Sequence, residues 1–285
     1  MDADHITADH ITIETGGGPI EALYYRSPKA TTVAVLNPAT GVPQRYYRHF
    51  ATWLTDQGIS CLTYDYRGFG ASARGPIQDV RLSMADWGIH DQQAARDWLS
   101  EDRPGLPLWV IGHSLGGFML GYQTGLERIA RVIAVCSGPI HHSDHPWPYQ
   151  ASARFFWFAL GPALLATTSY LPGRFSGLGA DVPGPVFRQW KRWCTTRGFH
   201  LADKSLPAHD ASALTAELRT VSPLDDEMIP PHVVEKLAMF YPEAAQTHVV
   251  LDPKAYGLGK VGHLAMFAKR NAALWPAMVG IDSAV

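Results

Sequence analysis

Apolar positions recur along this chain with two periods, and the switching between them outlines a layered architecture. HITIE (His10 to Glu14) and IEALYY (Ile20 to Tyr25) carry the strand period on either side of Gly16-Gly17-Gly18, which predicts an edge hairpin. TVAVLN (Thr32 to Asn37) is a nearly continuous apolar run, as a strand covered on both faces requires. From Tyr46 to Gln57 the apolar residues Tyr47, Phe50, Trp53 and Leu54 fall at helical spacing, and Gly58 ends the run. ISCLTYDY (Ile59 to Tyr66) is the next strand, and a helix from Ser83 carries Trp87, Ala94, Ala95, Trp98 and Leu99. LWVIG (Leu108 to Gly112) is a strand, Leu115 to Leu126 a helix, and RVIAVCSG (Arg131 to Gly138) a strand again. Such alternation predicts an α/β fold: a mostly parallel, eight-stranded sheet with helices on both faces.

The rhythm stops after Ser137-Gly138 and resumes near LRTVSP (Leu218 to Pro223), an interval too long for an ordinary connection. The expected organisation is a core of residues 1–138 and 214–285, with a cap inserted at 139–213. That insertion holds four of the nine tryptophans, Trp147, Trp157, Trp190 and Trp193, together with Phe155, Phe156, Phe158, Phe175 and Phe187. Aromatic residues at this density suit the wall of an apolar pocket, and Trp147, Phe155, Trp157 and Trp190 are the candidates for substrate contact. A small satellite core is the competing reading for each of them. After the cap come the helix Pro230 to Phe240, the strand THVVLD (Thr247 to Asp252) and a closing helix from Leu264 to Met278.

Composition narrows the function more than the fold. A net charge of −2 and a pI near 6.7 offer no basic field, so a nucleic-acid partner is not expected and a small, largely uncharged molecule is. A second copy of the chain is the one macromolecular partner the reading admits. The three cysteines, Cys61, Cys136 and Cys194, form no CxxC pair and read as reduced and buried. The polar start MDADHITADHITIETGGG lacks a basic-then-apolar leader, so a cytoplasmic location is expected; the tandem ADHIT at Ala3 to Thr12 is too short for a structural repeat. The uncharged stretch from Phe155 to Gly173 is broken by Gly161-Pro162 and diluted by Thr167, Thr168 and Ser169, and reads as buried or pocket-lining rather than membrane-inserted.

Chemistry centres on Gly112-His113-Ser114-Leu115-Gly116, a Gly-x-Ser-x-Gly run fed by an apolar strand and followed by a helical pattern. A serine on such a turn projects its hydroxyl above the sheet edge, beside free backbone N–H groups. A hydroxyl needs a base to become a nucleophile, and the base needs an acid to fix its tautomer. Of thirteen histidines, His263 stands in a glycine-bearing loop after the last strand, whereas His248 lies inside a strand and His113 at the elbow points away from the serine. For the acid, Asp225, Asp226 and Glu227 all follow the strand after the cap, and a charge at a helix start before Pro230 is the competing reading, preferred for Asp225 and Glu227. His141-His142-Ser143-Asp144-His145 matches no familiar metal spacing and reads as a solvated loop; neither metal nor cofactor is expected.

GHSLGG (Gly112 to Gly117), DYRGFGAS (Asp65 to Ser72) and the D-x-x-I-P run from Asp226 to Pro230 together resemble the bacterial α/β-hydrolases of the serine esterase, lipase and aminopeptidase-like group, over nearly the whole chain except the cap. The Asn37 to Gly41 run, Asp86-Trp87 and Gln189-Trp190-x-x-Trp193-Cys194 resemble a subfamily of predicted hydrolases within it. The resemblance implies Ser114 as nucleophile, His263 as base and Asp226 as acid, with Asp144 the rival because some relatives carry the acid after the preceding strand. Many relatives have His-Gly after the third strand where this chain has Asn37-Pro38-Ala39-Thr40-Gly41, and Pro38 offers no N–H. By position the oxyanion donors are the N–H groups of Ala39 and Leu115, with Thr40 the alternative to Ala39. Asp65 and Arg67 are expected to brace the loop beneath the site. The activity implied is hydrolysis of an ester, thioester or amide through an acyl-enzyme; acyl transfer or cyclisation by the same triad, and ligand binding on a hydrolase scaffold, are the alternatives.

Overall fold

In the computed structural model, residues 8–176 and 179–281 are described. The first ADHIT copy therefore lies outside the described residues, and the second runs into the first strand. Among the described residues ten strands form: β1 Asp9–Glu14, β2 Pro19–Tyr25, β3 Thr32–Asn37, β4 Ile59–Tyr64, β5 Leu108–His113, β6 Ile129–Val135, β7 Tyr170–Leu171, β8 Val182–Pro183, β9 Glu217–Pro223 and β10 Ala245–Leu251. Eight of them make one sheet in the order β1-β2-β4-β3-β5-β6-β9-β10, with β7 and β8 paired as a separate ribbon. β2 runs antiparallel to both β1 and β4, and every other pair in the large sheet is parallel.

The continuous apolar runs translate into strands buried on both sides, because a core packs against each face. One core gathers Val33, Leu62, Val110 and Val132 with Trp87 and Leu99, and with Trp157, Phe187 and Trp193 from the segment between β6 and β9. The other gathers Leu36, Ile111, Ile133 and Val221 with Phe50, Leu54, Phe267 and Trp275. All three cysteines are free thiols and buried. Among the described residues no helix is long and apolar enough to cross a membrane.

The helical half differs from expectation in two places. Instead of one helix from Leu115 to Leu126, the chain makes three short turns, Ser114–Gly117, Leu120–Tyr122 and Leu126–Arg128. Four glycines fall between 116 and 125, each costing about 1 kcal/mol in a helix. Distant groups also capture the turn's backbone: Asp210 N–H donates to the Gly121 carbonyl (2.7 Å), and Gln93 Oε1 accepts Thr124 N–H (3.0 Å). Likewise the closing helix breaks into turns at Ala265–Phe267 and Lys269–Leu274 before Trp275–Val279, since Ala268 is extended and the Asn271 amide donates to the Ala265 carbonyl. β6 stops at Val135, three residues short of the expected end, because Cys136 takes a φ of 50°.

Between β6 and β9 the chain leaves the sheet for a helical run at 149–168, the β7–β8 ribbon and the helix Gly184–Cys194. Gln189 fastens this segment to the core by accepting Ala85 N–H at 2.8 Å. The helix that begins at Met84 is closed at its start by a capping box between Ser83 and Asp86.

Candidate active site

β5 carries the chain directly into Ser114, whose φ is 53°. A non-glycine residue held in that left-handed region stores about 1–3 kcal/mol of strain, and such strain gathers at sites where a side chain must be aimed. The neighbouring glycines are sterically compelled. A Cβ on Gly112 would lie 2.2 Å from the Gly116 carbonyl oxygen, and one on Gly116 would lie 2.1 Å from that of Asn37. Asn37, at the end of β3, reinforces the turn by donating to the Gly116 carbonyl (3.1 Å), while Ser137 Oγ donates to the Ser114 carbonyl (2.7 Å). Ser114 itself is half-buried.

Two loops at the carboxyl ends of β9 and β10 face each other and are joined by three consecutive acidic residues. Asp225 accepts the N–H groups of Val261 and Gly262, each at 2.8 Å; Asp226 Oδ2 accepts His263 Nδ1–H at 2.9 Å; Glu227 pairs with Lys260 Nζ at 2.6 Å. Asp225 and Glu227 are thus not helix-start charges, as the sequence suggested. The helix begins only at Pro231, and both carboxylates turn toward the β10 loop instead. Asp226 Oδ1 is held by the N–H groups of Met228 (2.8 Å) and Ile229 (3.0 Å), which fixes the carboxylate for the histidine. With Nδ1 donating to Asp226, His263 leaves Nε2 bare, the tautomer a general base requires. Both side chains are almost wholly buried. The rival Asp144 instead accepts His141 N–H (3.2 Å) on the loop leaving β6. Among the described residues no hydrogen bond joins Ser114 Oγ to His263. The His263 ring nonetheless stands 5.5 Å from that of His113, the residue just before the serine.

His113 points away from the hydroxyl, as expected, and is fully committed elsewhere. Its Nδ1 meets the Tyr47 hydroxyl (2.9 Å) and its Nε2 the His263 carbonyl (3.1 Å), and burial pushes its pKa down to about 3. The Ala39 N–H, expected as an oxyanion donor, is corrected by the same network: it donates to the Tyr47 hydroxyl at 2.9 Å and is spent on the fold. Among the described residues the N–H groups of Thr40 and Leu115 have no partner.

Cys136 was read only as a buried thiol, yet its Sγ, a carboxylate oxygen of Asp226 and a ring nitrogen of His263 all lie within 4.8 Å of one another. Burial first, then the Asp226 charge, holds the thiol pKa well above its ordinary value, so it stays a neutral hydrogen-bonding partner of that carboxylate. Its place just past β6, at the carboxyl edge of the sheet, was the signal in the sequence. Asp65 and Arg67 are spent on structural contacts. Asp65 accepts the N–H groups of Gln44 (2.7 Å) and Ala71 (2.8 Å), and Arg67 forms a buried ion pair with Asp91 (2.5 Å).

The four candidate aromatics separate. Trp157 and Trp190 line a cavity of about 200 Å³ with His145, Tyr149, Ser152, Ala153, Phe156 and Met228. Trp147 is 78% and Phe155 61% exposed, and neither lines that cavity. Ser114 is not among the lining residues; the cavity borders the acid loop through Met228 and through His145, whose Nδ1 bonds the Glu227 carbonyl at 3.2 Å. His141 instead folds onto the Ser143 hydroxyl (2.7 Å), and among the described residues the 141–145 histidines gather no metal-binding trio.

Comparison with known proteins bears on the fold and the family. A polyketide transferase, grgF, from Penicillium sp. is 29% identical over 106 residues, an alignment spanning 35% of this chain and 35% of that relative's length. The crystal structure of the α/β hydrolase GrgF from Penicillium sp. sh18 superposes with a TM-score of 0.57 at 18% identity, covering 96% of this chain and 97% of that one. A thermophilic esterase from Thermogutta terrifontis superposes at 0.57 and 14% identity, covering 96% and 97%. At these identities the superpositions establish the fold. Residues 30–175 match the family described as serine aminopeptidase, S33, about half of the chain, and this protein is therefore an α/β-hydrolase enzyme of that family.

Proposed function

We propose that this enzyme cleaves an ester, thioester or amide of a small, largely apolar substrate through an acyl-enzyme on Ser114. The observation that carries the reading is the buried Asp226–His263 pair at 2.9 Å, presented at the sheet edge where β5 ends in a strained serine. In this reading His263 Nε2 takes the Ser114 proton as Oγ adds to the carbonyl carbon, and then hands it to the departing alcohol, thiol or amine. Water, deprotonated by the same nitrogen, releases the acid. Leu115 N–H and Thr40 N–H receive the oxyanion, each donor contributing about 3 kcal/mol to the transition state. We read residues 139–213 as a cap, with the cavity at Trp157 and Trp190 as the acyl site. Its volume of about 200 Å³ is below that of typical drug-sized pockets, which favours a compact chain or ring over a long lipid tail.

The alignment with a polyketide transferase favours one further reading, acyl transfer in place of hydrolysis. The two part experimentally on product analysis with and without an added alcohol or amine acceptor. The substrate class is tested by kcat/KM over p-nitrophenyl esters of increasing length. The expected profile rises from acetate by about 0.8 kcal/mol per buried methylene and falls once the cavity is full. A steady decline from acetate upward contradicts the acyl site.

A further inference from the structure

We infer that Tyr47 and His113 form a relay that positions the catalytic base, running from the backbone of the oxyanion loop to the backbone carbonyl of His263; the inference rests on the Ser114–His263 reading above. The chain of contacts is continuous: Ala39 N–H to Tyr47 Oη at 2.9 Å, Tyr47 Oη to His113 Nδ1 at 2.9 Å, and His113 Nε2 to His263 O at 3.1 Å.

The two ends fix every proton between them. An amide N–H can only donate, so Tyr47 Oη accepts from Ala39 and has its own proton to give. That proton goes to His113 Nδ1, which must be bare. A carbonyl oxygen can only accept, so His113 Nε2 carries the hydrogen. One tautomer of one neutral imidazole satisfies the whole chain, and neither an imidazolium nor the other tautomer does.

Tyr47 and His113 are both fully buried, so water cannot substitute for a missing link. Phe267 closes over both rings, 5.1 Å from Tyr47 and 5.0 Å from His113. Burial also pushes the His113 pKa down to about 3, which keeps the neutral form throughout the neutral range. The adjacent Tyr46 donates its hydroxyl proton to the Leu264 carbonyl, so one short turn, Gln44–Tyr47, governs two successive carbonyls of the base loop. Asp226 holds the imidazole of His263 by its ring nitrogen; the relay holds the same residue by its backbone. The variable position of the Gly-x-Ser-x-Gly elbow is therefore a positioning residue here.

The test compares Tyr47→Phe, His113→Gln, His113→Asn and the Tyr47→Phe/His113→Gln double variant with the unaltered enzyme, by fluorophosphonate labelling rate and by kcat and KM on a p-nitrophenyl ester. Tyr47→Phe is expected to lower kcat and labelling about ten- to a hundredfold with KM little changed and the thermal transition still cooperative. The Gln Nε2–H can occupy the place of the imidazole Nε2–H, so His113→Gln should retain more activity than His113→Asn. The double variant should be no slower than the worse single one, because both cut the same chain. Histidine-selective ¹⁵N NMR on the unaltered enzyme reads the tautomer directly, and an Nε2–H signal that does not titrate between about pH 5 and pH 8 is expected. Folded Tyr47→Phe with unaltered kcat, single effects that multiply in the double variant, or an Nδ1–H tautomer would each overturn the relay. An unaltered enzyme that fails to label defeats the nucleophile assignment instead, which keeps the two failures apart.

Discussion

At the scale of single residues, the proposed base depends on Asp226. Among the described carboxylates only Asp226 bonds the imidazole, so Asp226→Asn should present the wrong tautomer and lower kcat by about four orders of magnitude while the protein stays folded. A mild effect, measured on the best p-nitrophenyl ester, would return the acid to Asp144 or Asp225. The proposed nucleophile, base and acid could be nominated from the sequence because each sits in a short motif whose chemistry depends on local spacing. The oxyanion donor could not. Whether Ala39 N–H is free depends on Tyr47, eight residues later in a turn whose rotation no local pattern reveals, and the proximity of Cys136 to Asp226 depends on a backbone reversal after β6.

At the scale of elements, the loops after β9 and β10 behave as one unit, stapled by Asp225, Asp226 and Glu227. Asp225 carries two of the backbone contacts, and Asp225→Ala removes both acceptors at once. It should cost about 1–3 kcal/mol of unfolding free energy and lower kcat through a loosened base loop, both read on the same preparation by urea titration and ester kinetics. Unchanged stability and rate would mean that the staple positions nothing. The strands were legible because burial on both faces demands unbroken apolar runs, from Val33 to Leu36 and from Val110 to Ile111, wherever they occur. The helices after β5 and after β10 were not. Their apolar spacing was present, but the first is broken by its glycines and by distant groups, Asp210 capturing the Gly121 carbonyl and Gln93 the Thr124 amide, and the second by the extended Ala268. The aromatic content of residues 139–213 was equally visible, yet content does not say which ring is buried: Trp147 is exposed and Trp157 buried.

At the scale of the whole molecule, the fold keeps two buried histidines neutral, and this sets its response to acid. His113, lowered chiefly by burial, and His200, lowered by burial and then by His209, both fall from 6.5 to about 3. Below 6.5 the unfolded chain takes up both protons and the folded one does not, so stability is full above that pH and declines as pH falls toward 3. The decline should approach roughly 1 kcal/mol per pH unit for each histidine, and urea titrations of His200→Gln between about pH 4 and pH 7 should show a shallower slope. A slope unaltered by that substitution would place the acid sensitivity elsewhere. The assembled scaffold exists, on this account, to make one hydroxyl reactive, and intact-protein mass spectrometry after fluorophosphonate treatment tests that most directly. A single adduct mapping to Ser114 and absent from Ser114→Ala is the predicted result. A folded enzyme that forms no adduct, or forms it equally well in Ser114→Ala, would contradict the account.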